Sequence, residues 1–437
     1  MAVVTVSGNP VVGTKYTVTT ASSADWASVS NSTYFFDLTD KLVHYKDSTG
    51  AIIELFGSGA GGLTYFTEAQ NTTAPNATVP VDSLTAVTGT TNGDFAIIPK
   101  GNGAILAQIP DGTITGGNKR GANSVDLQTG RTVSTNVASG QYSVTLGYNC
   151  KASATNAIAI GSTSYATASR AIALGGNAFS SGIGSCAIGG DGGASYASGD
   201  GSFAVGGTGT TASGFESVAM SCASASGTNS FAMGFSSASG TNSVAMGGQF
   251  GGANGSSATG NGSFSMGLGC VADARNSTVF GVYTSSKGVA QRLSVGTFQD
   301  LAPYLKGSAQ SSLSTSVGTT TTNTAVELKA YEGTVINLVL QNNEAIRVKG
   351  SIIGKQTATT NVTSYDFDCV IVRGTTAAST VIKVNNMNLV WDDIVCTVLP
   401  TLTADTTNGG LSVKSGAKLT TTIKWSCRID STESILA

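Results

Sequence analysis

The sequence is poor in the residues that enzymes use for acid–base, nucleophilic and metal chemistry. It holds one histidine, His44, among 437 residues, and that histidine alternates with Val43 and Tyr45. We expect His44 on the exposed side of a strand, with neither a catalytic nor a metal-binding role, and we expect no metal or other cofactor. The G-x-S-x-G motif of a nucleophile elbow is also missing. These absences favour a structural or binding protein, with no catalytic residue, over an enzyme.

Cysteine pairs and charge are scarce too. The seven cysteines are scattered and form no CxxC pair, so we expect small buried thiols and no disulfide framework. Charged residues make up 11% of the chain, against about a quarter in ordinary domains. The net charge is −2, without any basic run, which excludes nucleic acid as a partner because phosphates require clustered lysine and arginine.

Long apolar runs are absent as well. No such run approaches the 18 residues or so of a membrane span. The first residues, Met1 to Ser7, lack both the basic and the apolar region of a signal peptide. We therefore expect neither secretion by a signal peptide nor membrane insertion.

The strongest positive feature is a short motif, small–apolar–Ala–apolar–Gly, that recurs between residues 143 and 281. Its closing residues are 13 to 20 positions apart, most often 14. A period this short leaves no room for helices and indicates a β-solenoid. The copies are Ser143–Gly147, Ala157–Gly161, Ala171–Gly175, Ser185–Gly189, Ser202–Gly206, Ser217–Ser221, Ser230–Gly234, Ser243–Gly247, Ser263–Gly267 and Ser277–Gly281.

Alternation along each copy predicts two different faces. Residues such as Ile158 and Ile160 point to one side of the strand, and the alanine between them points to the other. Later copies place Met233 and Met246 on the apolar side. Each turn would bury only two or three medium side chains, so a single chain should be marginally stable. We expect several chains to pack together through their alanine faces as an obligate trimer.

Composition divides the all-β chain into five predicted segments, and Lys41–Phe56 in the first has the pattern of a β-hairpin. In the last segment, turn residues between apolar runs predict an antiparallel sandwich or jelly roll. Its predicted strands are Val326–Gln341, Glu344–Gln356, Thr363–Gly374, Thr380–Val384, Asp393–Val398 and Leu419–Ile429. The segments are an N-terminal β module with a glycine hinge (1–62), a β-rich connector (63–140), the β-roll shaft (141–283), a neck (284–310) and a C-terminal knob (311–437).

Two pairs of carboxylates give the best case for an enzyme. Asp366 and Asp368 flank an aromatic residue, and Asp392 and Asp393 follow Trp391, an arrangement compatible with glycoside cleavage. The alternation of the first pair with apolar residues fits a half-buried strand better. We expect the aspartates to face solvent. Binding is expected instead at the predicted loops Gly374–Thr380, Asn385–Asp392 and Thr401–Gly410.

The repeats resemble a known family. Thr241-Asn-Ser-Val-Ala-Met-Gly247 is similar to the head repeats of trimeric autotransporter adhesins, whose consensus is close to Asn-Ser-Val-Ala-Ile-Gly. That resemblance implies a left-handed parallel β-roll built from three chains. It covers about a third of the sequence. We expect neither the heptad stalk nor the membrane anchor of that family, since no segment of the sequence resembles them.

The flanking segments resemble tailed-phage fibre proteins instead. The similar stretches are Gly116–Gln128, Tyr365–Gly374, Ala404–Leu411 and Thr422–Trp425. This resemblance implies a homotrimeric tail or head fibre on the virion, assembled in the host cytoplasm. Its N-terminal module would attach to tail, baseplate or capsid proteins, and its distal half would recognise a host receptor, either a glycan or a protein. The resemblance assigns no receptor-binding residue. A bacterial adhesin head and a glycan-degrading tailspike are the alternatives.

Overall fold

The computed structural model describes most of the chain and separates it into two compact units, residues 1–98 and 99–437. Within the first unit it describes residues 4–6, 9–11, 31, 33–36, 43–54, 66–71, 81–86 and 96–98. Within the second it describes residues 99–190, 192–248, 255–301, 305–330 and 338–436. None of the helices in these residues is long and apolar enough to cross a membrane.

The described part of the first unit consists of short antiparallel strands. β4 pairs with both β3 and β5, and the β4–β5 pair confirms the predicted hairpin within 41–56. The predicted glycine hinge at 57–62 lies outside the described residues. The strands are β1 Val4–Val6, β2 Asn9–Val11, β3 Thr33–Phe36, β4 Val43–Lys46, β5 Ile52–Glu54, β6 Phe66–Asn71 and β7 Val81–Ala86.

The repeats form a β-solenoid of about 11 turns, as the period predicted. Each copy of the motif supplies one strand of a parallel sheet, called here the front sheet, which starts with the two-residue strand β8 Ile105–Leu106. The register places equivalent residues of successive copies side by side, for example Ala159 beside Ala173. The next front strands are β9 Val125–Gly130, β10 Val144–Tyr148, β12 Ile158–Ser162, β14 Ile172–Gly176, β16 Cys186–Ile188, β18 Phe203–Val205, β20 Val218–Met220, β22 Phe231–Met233, β24 Val244–Met246, β26 Phe264–Leu268 and β28 Thr278–Val282.

A second parallel sheet of nine strands, the back sheet, closes each turn. Its strands come from the small-residue segments between the copies and are only two or three residues long. They are β11 Lys151–Ala152, β13 Tyr165–Ala166, β15 Ala178–Ser180, β17 Ser195–Ala197, β19 Thr210–Ala212, β21 Ser224–Ala225, β23 Ser237–Ala238, β25 Ser257–Ala258 and β27 Val271–Ala272.

Alanine fills the space between the two sheets. Ala159 and Ala245 of the front sheet and Ala166 and Ala238 of the back sheet are all fully buried in one continuous cluster. The alanine faces therefore form the interior of a single chain's roll. The expectation that they pack chains together is wrong, because the back sheet of the same chain already covers them.

The closing glycine, present in every copy except Ser217–Ser221, is required by the stacking of turns. Gly161 has φ of +125°, and a Cβ placed on it would lie 2.1 Å from the carbonyl oxygen of Gly175 in the next turn. A side chain at this position would collide with backbone, which cannot move away without breaking the register. The opening serine closes the corner at the other end of the front strand, since Ser143 donates its hydroxyl to the carbonyl oxygen of Gly140 at 2.7 Å.

The C-terminal region consists of antiparallel sheets, as predicted. A large sheet has the strand order β29-β30-β37-β32-β33-β34 and a small sheet has the order β31-β36-β35. A 3-10 turn spans Ala377–Ser379. The strands are β29 Leu293–Leu301, β30 Leu305–Thr320, β31 Leu338–Val339, β32 Glu344–Gln356, β33 Val362–Val372, β34 Val381–Asp392, β35 Thr401–Asp405, β36 Gly410–Lys414 and β37 Ile423–Leu436.

The two C-terminal sheets enclose a second apolar core. Ile346, Phe367 and Trp425 of the large sheet pack in one buried cluster with Leu402 and Leu411 of the small sheet. The predicted strands Glu344–Gln356 and Thr363–Gly374 are confirmed within a residue or two. Strand β34 is much longer than the predicted Thr380–Val384, and Asp393–Val398 contains no strand.

The front sheet of the solenoid continues into the large C-terminal sheet without a break. β28 pairs in parallel with β29, and β29 pairs antiparallel with β30. The inward column of the solenoid also continues, through the buried residues Val279, Ser294, Ser312 and Ser431. The predicted neck at 284–310 therefore includes strands of this sheet, and the domain boundaries stay predictions.

Candidate assembly and binding surfaces

The outer face of the front sheet carries the large apolar residues of every repeat. In each copy they flank a buried central residue, which is alanine in seven of the ten copies, so alternation turns both of them out of the roll. They are half-buried or exposed, with Leu146 at 45% and Met233 at 40% of full exposure. A surface of this kind, unbroken over many turns, is typical of a site where another protein binds.

Two in-register columns make up this surface, which we call the apolar stripe. The hydrogen-bonded register keeps each column straight from one turn to the next. The first column is Val144, Ile158, Ile172, Cys186, Phe203, Val218, Phe231, Val244, Phe264 and Thr278; the second is Leu146, Ile160, Leu174, Ile188, Val205, Met220, Met233, Met246, Met266 and Phe280.

The segment Gly116–Gln128 caps the start of the solenoid. Asp126 of β9 takes the inward position that alanine holds in most later turns, and Arg120 donates to its carboxylate at 2.6 Å. Both side chains are buried. Gln128 accepts from the backbone N–H of Cys150 at 2.9 Å, which joins the cap to the next turn. The sequence marked this segment only by its resemblance to phage fibre proteins. In the structure, its buried Arg120–Asp126 ion pair covers the end of the alanine core.

A buried ionic cluster joins the last turns of the solenoid to the C-terminal sheets. Glu433 on β37 accepts from Arg292, from Lys287 at 2.7 Å and from Gln310 at 2.5 Å. Lys287 also pairs with Glu344, whose other carboxylate oxygen accepts from the backbone N–H of Gln341 at 2.5 Å. Two cations and two carboxylates thus neutralise each other away from water.

Burial dominates the electrostatics of this cluster. It lowers the pKa of Lys287 from its ordinary 10.5 to about 8, and the Glu344 carboxylate opposes that shift. The pKa of Arg292 falls to about 10 for the same reason. The two cations contact the carboxylates directly and all four side chains are buried, so the cluster is a structural joint with no open side for a substrate. The sequence gives no local sign of this cluster, since its members are 146 residues apart at the extremes, Lys287 and Glu433.

The lone histidine is not where the sequence placed it. His44 is 3% exposed, so the expectation of an exposed strand side is wrong. It lies on the central strand of a three-stranded sheet, opposite Phe35 on one side and Glu54 on the other.

The cysteines behave as small apolar residues. All seven are free thiols, and Cys150, Cys270, Cys369 and Cys427 are buried. Burial raises the pKa of Cys427 to about 12, which keeps its thiol protonated and unreactive.

The structure does not bring the four candidate aspartates together. Asp366 and Asp368 lie on the outer face of β33, as predicted. Asp392 ends β34 opposite Thr363, and Asp393 follows it. The buried side chain of Thr363 marks the inner face of the sheet, so Asp392 lies on the face opposite to that of Asp366 and Asp368. The two pairs therefore do not flank a common substrate position.

Asp368 has the wrong chemistry for a general acid. Arg347 donates to its two carboxylate oxygens at 3.2 and 2.8 Å. These bonds hold the pKa of Asp368 below its ordinary value. A glycosidase acid needs a raised pKa so that it is protonated at neutral pH. Asp368 instead stays ionised.

The predicted binding loops are partly strands. Gly374–Thr380 is a loop that contains the 3-10 turn. Asn385–Asp392 belongs to β34, so its prediction as a loop is wrong. Thr401–Gly410 comprises β35 and the turn that leads into β36. β34 is the last strand of its sheet and exposes Leu389, Val390 and Trp391.

Comparison with known proteins adds a family likeness for the solenoid. Residues 138–164, 166–191 and 223–237 match the YadA head domain repeat. All three ranges lie in the turns built by the front and back sheets. In its repeat region the chain is adhesin-like, as the sequence resemblance indicated. No curated protein matches the chain by sequence.

A comparison of structures gives a more distant likeness. It pairs the chain with the tailspike protein gp49 from Acinetobacter baumannii bacteriophage Fri1, a capsular polysaccharide depolymerase. The two are 9% identical over 75% of this chain and 56% of that chain, so this chain spans little more than half of the tailspike. The TM-score is 0.21, at which the likeness carries no information about activity.

Proposed function

We propose that this chain is a fibre protein of a tailed phage that binds a host surface and does not cleave it. Three copies would assemble into one fibre. The solenoid would be the shaft, the N-terminal module would attach to the tail or capsid, and the distal half would contact a glycan or protein receptor. The fibre would be exposed on the virion.

The apolar stripe is the observation that carries this proposal. A roll whose interior is alanine buries little apolar area per turn, and its larger side chains lie outside, where only another chain can cover them. Three stripes meeting around one axis would bury these columns along the whole shaft. The match to an adhesin head repeat supports the same arrangement.

An adhesin head on a bacterial surface is the second candidate. It is favoured by that same match and would use the same trimeric shaft. The flanking segments that resemble phage fibres favour the first candidate. Labelling residue 437 and imaging purified phage particles separates the two, because only a virion fibre places the label at a fixed distance from the particle.

We expect the purified chain to bind surface polysaccharide without releasing oligosaccharide. The separated aspartates and the ionised Asp368 give it no acid–base pair for glycoside cleavage. The measurement is an assay for new reducing ends after incubation with capsular polysaccharide or lipopolysaccharide from strains that the chain binds. Asp392→Asn and Asp393→Asn should leave binding within a few fold of the unsubstituted chain.

Steady release of reducing ends would contradict the binding-only function. If one of the single variants Asp366→Asn, Asp368→Asn, Asp392→Asn or Asp393→Asn abolished that release, the depolymerase alternative would be correct. The same variants purified in the same way control for carry-over of other hydrolases, because a contaminant releases reducing ends whichever aspartate is replaced.

A further inference from the structure

The outer face of the large C-terminal sheet is a direct continuation of the apolar stripe. Thr278 lies beside Leu293, which lies beside Leu313, and both leucines are on the outer side of the sheet. From there the same column runs through strands β37, β32, β33 and β34. Its members beyond Leu313 are Asp430, Lys349, Asp368 and Asn386.

The chemistry of this face changes from apolar to charged at that point. Lys349 has an aspartate directly opposite on each side, Asp430 on β37 and Asp368 on β33. Residues opposite each other in neighbouring strands have Cβ atoms about 5 Å apart, so charges of opposite sign alternate along the column. Arg347 and Arg428 lie close by and pair with Asp368 at 2.8 Å and Asp430 at 3.1 Å.

The charged face is open to solvent. A shallow depression of about 330 Å3 is lined by Ser311, Arg347, Lys349, Asp430, Ser431 and Thr432. Arg347 and Asp430 keep 58% and 46% of their side-chain surface exposed. Each chain therefore offers both cations and carboxylates that are only partly satisfied by its own partners.

We infer that this charged face, centred on Lys349, is the surface through which copies of the chain meet beyond the shaft. The inference rests on the proposed trimer and extends it to the distal half. Continuity of the sheet carries the face that meets the axis in the shaft onto β37, β32 and β33. Lys349 of each chain then lies near the threefold axis. Along that axis the three Asp430 side chains lie on one side of the three lysines, and the three Asp368 side chains lie on the other.

Alternation of charge allows this charged face to lie at such an axis. Three lysines at one level repel each other, and acidic residues one strand before and one strand after neutralise them. A face of one sign would push the three chains apart. The contact between chains is therefore ionic in the distal half and apolar in the shaft. Salt weakens the ionic contact and leaves the apolar contact in place.

The test is lysine acetylation of the full-length chain at low salt, with native mass measured on the same sample. Lys349 and Lys414 are both exposed in the single chain, and Lys414 lies on the small sheet, away from the charged face. In the trimer we expect Lys349 to be acetylated about ten-fold more slowly than Lys414. In about 1 M salt, where charges are screened beyond about 3 Å, Lys349 should approach the rate of Lys414 while the mass stays that of a trimer.

Each other outcome overturns the inference in a distinct way. Equal rates for Lys349 and Lys414 in a trimer at low salt would show that the distal faces do not meet, with the shaft assembly intact. Protection of Lys349 that appears only when polysaccharide is added would make this face a glycan site. A monomeric mass would overturn the trimer and with it the distal contact.

Discussion

Replacing Ala232 by leucine should prevent the solenoid from folding. Ala232 is fully buried in the column between Ala219 and Ala245, and the back sheet closes the space opposite it. A leucine adds three carbon atoms where every neighbour is already in contact. Overpacking of a core costs about 1–3 kcal/mol per site, and a roll one alanine layer thick has no larger side chain to move aside.

The measurement is circular dichroism with thermal unfolding, and the matched control is Thr228→Leu. Thr228 is exposed at the corner of the same turn, so the variant gains volume outside both the alanine core and the apolar stripe. We expect the control to retain the cooperative transition of the unsubstituted chain and Ala232→Leu to lose it. A normal transition for Ala232→Leu would mean that the alanine column is not the interior.

Replacing Met246 by aspartate should abolish assembly. Met246 lies in the second column of the apolar stripe, half-buried and in register with Met233 and Met266. A carboxylate placed in an apolar contact loses its hydration at a cost of several kcal/mol, and threefold symmetry imposes that cost three times. We expect sedimentation to show monomer or aggregate in place of trimer.

Asn242→Asp is the control for this variant. Asn242 is exposed at the corner of the same turn with φ of +54°, a conformation that aspartate also tolerates. It adds the same charge outside the stripe and should leave the trimer intact. If Met246→Asp formed trimers as heat-stable as those of the control, the stripe would not be the contact between chains.

The period of the repeats was predictable from the sequence, but which residues face the interior of the roll was not. Gly161 and its equivalents mark the end of each turn whichever way the strand faces. Alternation shows that Ala159 and Ile160 lie on opposite faces, and the usual rule places the larger residue inside. That rule fails here, since the opposite wall of the roll is a strand of two or three residues whose inward side chains, such as those of Ala166 and Ala238, are small.

Two C-terminal strands that the sequence pattern did not predict in full, β30 and β34, are both rich in polar residues. Strand β30 is Leu305–Thr320, and its buried positions from residue 310 onward are the polar residues Gln310, Ser312, Ser314, Ser316 and Thr320, so apolar alternation is weak. Strand β34 is rich in asparagine and lies at the sheet edge, and both features resemble a loop. The outward position of Asp366 and Asp368 was predicted correctly, because their strand alternates apolar and polar residues in the ordinary way.

The mass of the intact chain under native conditions tests the central claim most directly. One chain has a mass of 43.7 kDa, so the account requires a folded species near 131 kDa, three times that value. It should persist on dilution into the nanomolar range, since the stripe runs the length of the shaft. A folded monomer of 43.7 kDa at micromolar concentration, with the solenoid's circular dichroism intact, would contradict the account.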